Sequence, residues 1–127
     1  MKAAMKKSVL VVGSHLVGKS TTINEHLKPL LKISPHAHIF ELNGKMGFVI
    51  SQSSEEFHKD VEALIRKYSD YDLFVLAARP ENEKETNFEA AKKALKKASY
   101  DVNVVKVASP DEAPEKANEV FEILNSN

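Results

Sequence analysis

Four apolar residues near the start of the chain, Val9-Leu10-Val11-Val12, run directly into Gly13-Ser14-His15-Leu16-Val17-Gly18-Lys19-Ser20. This octet fits the pattern G-x-x-x-x-G-K-[ST], and few sequence features constrain a fold as tightly. Glycines at both ends let the backbone curl until consecutive N–H groups point inward, where they can hold the oxygens of a polyphosphate. Lys19 is then placed to neutralise the β and γ phosphates, and the Ser20 hydroxyl to ligate Mg²⁺. A helix expected from Ser20 to Leu31 presents its positive N-terminal end to the same anion, with Thr21 and Thr22 in its first turn.

The pattern carries meaning only between a strand and a helix, and the sequence supplies both. Val9–Val12 is short and β-branched, and Ile23, Leu27, Leu30 and Leu31 follow the loop at helical spacing. On these residues the chain resembles the P-loop NTPase superfamily. The motif covers the first quarter of the chain, and element order carries the resemblance through the remainder. It implies a nucleotide cradle built from Gly13, Ser14, His15, Leu16, Val17, Gly18, Lys19, Ser20 and Thr21, with Mg²⁺ as the accompanying ion.

The rest of the chain reads as alternating strands and helices. His38–Leu42 and Lys45–Ile50 flank Asn43-Gly44, a strong two-residue hairpin signal. Ser53 with Glu56 forms a capping box ahead of Phe57, Val61, Leu64, Ile65 and Tyr68, one helical face. Leu73–Ala78 is an uninterrupted apolar run of the kind found in strands covered on both faces. Thr86 with Glu89 opens another helix carrying Phe88, Ala91, Leu95 and Ala98. Val102–Val107 reads as the last strand and Ala113, Ala117, Val120, Phe121 and Leu124 as the closing helix, with Pro110 and Pro114 before it or in its first turn. The expectation is one α/β domain over residues 1–127, a three-layer sandwich of about five mainly parallel strands with one β-hairpin.

In such sheets ligands bind beyond the carboxyl ends of the strands. That rule selects Ser51 and Gln52, Arg79, and Ala108 to Asp111 as candidates for chemistry. Gln52 is placed to orient a water and Arg79 to clamp a phosphate; with Lys19 they form the expected catalytic set. A P-loop hydrolase usually holds its Mg²⁺ shell with a carboxylate at the end of a strand beside the first, and here Ser51-Gln52-Ser53-Ser54 and Arg79 stand in the obvious places. Glu55, Glu56 and Glu81 lie near these ends and read equally as helix-start or loop charges.

Element order also looks like that of small GTPases, but the stretch that would carry D-x-x-G has neither Asp nor Gly, and Ala108-Ser109-Pro110-Asp111 stands where N-K-x-D would be. Guanine therefore has no motif to read it, and ATP is the expected nucleotide, with the base itself unread and GTP not excluded. A small-molecule kinase would need cationic side chains over the phosphoryl group, and the chain has two arginines, Arg66 and Arg79. The competing class is a nucleotide-sensing or degenerate P-loop module that binds a protein partner without significant turnover.

Composition narrows the setting. Eighteen basic and 18 acidic residues cancel, which argues against nucleic acid as the main partner. No stretch approaches the roughly 20 apolar residues of a membrane span, and Met1 to Lys7 lacks a signal-peptide core. The absence of cysteine suits a reducing, cytoplasmic interior and leaves no thiolate metal site. His36 and His38 without a third ligand make a poor metal centre.

Overall fold

The computed structural model describes residues 6–13, 21–34, 37–53, 61–78 and 88–125. Five strands form one sheet: β1 (Lys6–Val12), β2 (Ile39–Leu42), β3 (Lys45–Ser53), β4 (Leu73–Ala78) and β5 (Tyr100–Lys106). Their spatial order is β2-β3-β4-β1-β5. Every pairing is parallel except β2 with β3. The helices are α1, whose residues Thr22–Leu27 are wound as a π-helix and Lys28–Leu30 as an α-helix, then α2 (Val61–Lys67), α3 (Phe88–Lys97) and α4 (Ala113–Asn125).

Alternation along β1 divides the core. Val9 and Val11 face one side, with Ile23 and Leu27 of α1 and Ala117, Val120 and Leu124 of α4. Leu10 and Val12 face the other, with Ile65 of α2 and Ala91 and Leu95 of α3. Successive strand residues point to opposite faces, so a continuous apolar run is what a strand covered by helices on both sides requires. The α/β expectation holds in this form: a five-stranded mixed sheet, mostly parallel, with helices on both faces.

The hairpin turns on Asn43 and Gly44, at φ 54° and 78°. Two positive φ values are what a type I′ turn demands, and Asn-Gly tolerates them best. The turn sets the register that pairs Leu42 with Lys45 and Phe40 with Gly47.

Three elements differ from the sequence expectation. In α1, the Lys28 N–H bonds to the Ile23 carbonyl five residues back. The wider turn carries the helix past Pro29, which has no N–H and whose ring would otherwise press on the carbonyl of Glu25. It also moves Lys28 into line with Ile23, so Lys28 is buried and Leu30, expected on the apolar face, is exposed. Burial holds the Lys28 ammonium below the usual lysine range. Secondly, β3 runs on to Ser53, so Ser53 is a strand residue rather than the opening of a helix; residues 54–60, including Glu55, Glu56 and Phe57, lie outside the described residues. Thirdly, β5 begins at Tyr100, before the expected Val102.

Helix ends are closed from unexpected directions. At the end of α1, Lys32 takes φ 62° while its N–H bonds to Pro29 O and that of Ile33 to Lys28 O, a Schellman arrangement with lysine where glycine is usual. The last turn of α4 has no basic residue of its own, and Lys7 from β1 supplies the cation, its Nζ donating to Ile123 O at 3.4 Å. Burial, and after it the nearby Lys45, pushes the Lys7 ammonium below its ordinary range, with Asp101 acting in the opposite sense.

An aromatic cluster fills the α2/α3 face near the amino ends of the strands. Phe48 stacks on Tyr68 with centroids 4.0 Å apart, and Phe74 meets Tyr100 edge-on at 5.8 Å. The Tyr100 hydroxyl donates to the Tyr71 carbonyl at 2.5 Å. Burial, reinforced by Asp72 and Asp70, pushes its pKa from 10.0 up to about 12. The native state therefore keeps a proton that the unfolded chain releases near pH 10. The stabilisation is complete below that pH and is lost as pH rises from about 10 through about 12. Alkaline absorbance titration should find a tyrosine step near pH 12 that is missing in Tyr100→Phe. A wild-type titration that shows no step near pH 12, or one that keeps the step in Tyr100→Phe, would contradict the assignment.

Candidate functional site

At the carboxyl edge of the sheet, Val12 of β1 is level with Ala78 of β4 and Lys106 of β5. The Val12 carbonyl accepts from the Val107 N–H at 2.8 Å, which ties the strand end to its neighbour where the chain leaves the sheet. Gly13 follows and is buried. At Thr21 the backbone is already helical, at φ −62° and ψ −45°, so the helical conformation begins at or before that residue. Ile23 and Leu27 share one buried cluster with Val9 and Val11, and α1 lies on that face of the sheet beside α4. A strand thus ends before the motif and a helix is formed by the residue after it.

Of the expected cradle, Gly13 and Thr21 are described; residues 14–20, and with them Ser14, His15, Leu16, Val17, Gly18, Lys19 and Ser20, lie outside the described residues, as does Arg79. The strands flanking β1 are β4 and β5, and β4 stands between β1 and β3. Gln52 is therefore carried two strands away from β1, about 10 Å at the usual strand spacing. There the ladder is irregular: Ile50 pairs with Leu76 and Ser53 with Ala77, so Ser51 and Gln52 are extra residues in β3. A bulge of this kind bends a strand and re-aims what it carries, and bulges are frequent beside active sites. Nothing in the sequence marks it, since Ser51-Gln52-Ser53 reads as the end of a strand.

Two further polar groups stand out, on α1 and at the start of α4. Asn24 lies three residues beyond Thr21 in the π-helical part of α1, and its Oδ1 is buried with no hydrogen-bond partner among the described residues. The second is Glu112, in the 3₁₀ turn Pro110–Glu112 that opens α4. Its Oε1 accepts from the Ala108 N–H at 2.9 Å, just beyond the end of β5. Ser109 three residues before it gives the spacing of a capping box, the signal that could have found it. Asp111 beside it is exposed. Pro110 precedes α4 and Pro114 lies in its first turn, as their chemistry requires.

The other candidates fall away from this edge. Asp72 lies at the opposite end, its carbonyl accepting from Lys7 N. His38 is exposed, with Nδ1 3.3 Å from the Val49 carbonyl; His36 lies outside the described residues. Among the described residues no group of three or more His, Cys, Asp or Glu side chains could hold a metal ion. None of their helices is long and apolar enough to cross a membrane. Comparison of the chain with models of known families, with curated proteins and with solved structures returns no match.

Proposed function

We propose that this chain is a small P-loop domain that binds a nucleoside triphosphate with Mg²⁺ and turns it over slowly, or at speed only when a partner completes the site. The observation that carries the reading is the passage of a buried central strand through Gly13 into a helix already formed at Thr21, with G-x-x-x-x-G-K-S between them. Backbone N–H groups from Gly13 to Thr21 hold the phosphates, Lys19 neutralises them, and the Ser20 hydroxyl ligates Mg²⁺. Gln52, on the bulge of β3, and Arg79, which follows the last residue of β4, act toward the attacking water and the γ phosphate. ATP is preferred over GTP, though weakly, because no guanine-reading Asn-Lys pair follows β5; competition between the two nucleotides checks this, and a preference for GTP of a hundredfold or so would refute it.

Slow turnover follows from what surrounds the loop. Among the described residues, the carboxylate tied to the end of a strand flanking β1 is Glu112, and it is engaged with the Ala108 N–H. A triphosphate held chiefly by the loop has its ground state well bound, while little is positioned to stabilise the charge of the transition state, and only differential binding accelerates chemistry. Phosphate release by purified protein with Mg²⁺ should be on the order of one per minute or less, against roughly one to a hundred per second for well-equipped phosphoryl-transfer enzymes. Gln52→Ala and Arg79→Ala should each lower it further. Fast release that survives both substitutions would place the catalytic groups elsewhere.

A further inference from the structure

At the opposite end of the sheet, a hollow of about 300 Å³ opens between the carboxyl ends of α2 and α3. Its distance from Gly13 is that of the seven residues of β1, about 20 Å. The floor is apolar: Ile65 is buried, and Ala94 and Ala98 are half-buried. The rim is cationic, with Lys6, Arg66 and Lys97, and carries two hydroxyls, Ser69 and Ser99. No carboxylate lines it among the described residues. Asp70 and Asp72 lie close enough to act on the Tyr100 hydroxyl, but neither reaches the rim.

These cations are not all spent on the fold. Lys6 is fixed from beneath, its Nζ donating to Ser69 O at 2.7 Å and standing 4.8 Å from the centre of the Tyr100 ring. Arg66 and Lys97 are exposed and form no ion pair among the described residues. Basic residues are favoured at the last turn of any helix, which explains why they stand there. The helix dipole does not call for an apolar hollow between them. Ser99 holds φ 74°, a conformation glycine would adopt more cheaply, and it brings a hydroxyl to the rim instead. In a chain whose charges cancel overall, three positive side chains around an apolar floor select an anionic head joined to an apolar body. The volume is at the lower end for ligand sites and suits a small molecule.

We propose that this hollow is a binding site for small amphipathic carboxylates, with the tail against Ile65, Ala94 and Ala98 and the head between Arg66 and Lys97, where the guanidinium fork can take both oxygens. The inference stands apart from the nucleotide reading and survives its failure.

The test is a titration of the ¹⁵N-labelled full chain with sodium octanoate, followed through its amide resonances. Octanoate should saturate, shifting amides of residues 65–69 and 94–99. Octylamine, with the same tail and the opposite charge, and inorganic phosphate, with charge and no tail, should bind at least about tenfold more weakly. Arg66→Gln with Lys97→Gln should weaken octanoate by about tenfold or more, and Ala94→Leu, which fills the hollow with a good helix former, should abolish the shifts while the remaining spectrum stays native. Equal binding of octanoate and octylamine, octanoate shifts centred elsewhere, or unchanged affinity in natively folded variants would overturn the proposal.

Discussion

Gly47→Ala is expected to destabilise the protein by about 3 kcal/mol, an unusually large loss for the addition of one methyl group. Gly47 lies directly across the hairpin from Phe40, and the ring of Phe40 covers it. A β-carbon there would stand 2.6 Å from two ring carbons and closer still to the ring tip. The ring has nowhere to go, since Phe40 is 2% exposed and belongs to the cluster that includes Val49, Ile23 and Leu27. Cores are packed densely enough that such a conflict is relieved only by shifting the edge strand or ejecting the ring. Urea unfolding should show a lower midpoint at nearly unchanged slope. In the Phe40→Leu background the added methyl should cost less than half as much, because the two sites share the contact and their effects do not add. A Gly47→Ala midpoint equal to that of the wild type would show that the ring is not held over the glycine.

This contact separates what could be read in the chain from what could not. The hairpin was legible because Asn43-Gly44 is a local signal: both residues must take positive φ, and few other pairs do so as readily. That Gly47 makes room for Phe40 is a tertiary fact, and the sequence displays only a glycine in a strand. The apolar run of β4 was legible as a doubly covered strand, and it occupies a central place in the sheet. Its position between β1 and β3 was not, because strand order depends on which helices cover which face. In α1, Ile23 and Leu27 keep the helical period and are buried, but Pro29 forces a five-residue turn that exchanges Leu30 for Lys28. Periodicity assumes a constant turn, so a local change of winding shifts every later residue. Lys32 closes that helix in the conformation usually given to glycine, and the end therefore carries no marker. Of the candidate site, the strand before Gly13 and the helix from Thr21 were legible from apolar pattern. The bulge at Ser51 and Gln52 and the buried Oδ1 of Asn24 depend on pairing and packing, whereas the Glu112 carboxylate has a local signal in Ser109 three residues before it.

The second large effect falls on Lys19. As the one charged side chain in the loop motif, it is assigned to the polyphosphate alone. Its truncation should remove a charge-assisted contact worth about 1.5 to 3 kcal/mol and leave the fold intact, a loss of roughly tenfold or more in affinity. Calorimetric titration of the wild type and Lys19→Ala with ATP in the presence of Mg²⁺ tests the central claim most directly. A matched urea midpoint should establish that both are folded. The wild type should bind one equivalent of nucleotide and the variant should bind it at least about tenfold more weakly. Equal affinity in the two proteins, or no binding by the wild type, would contradict the phosphate-binding role of the loop.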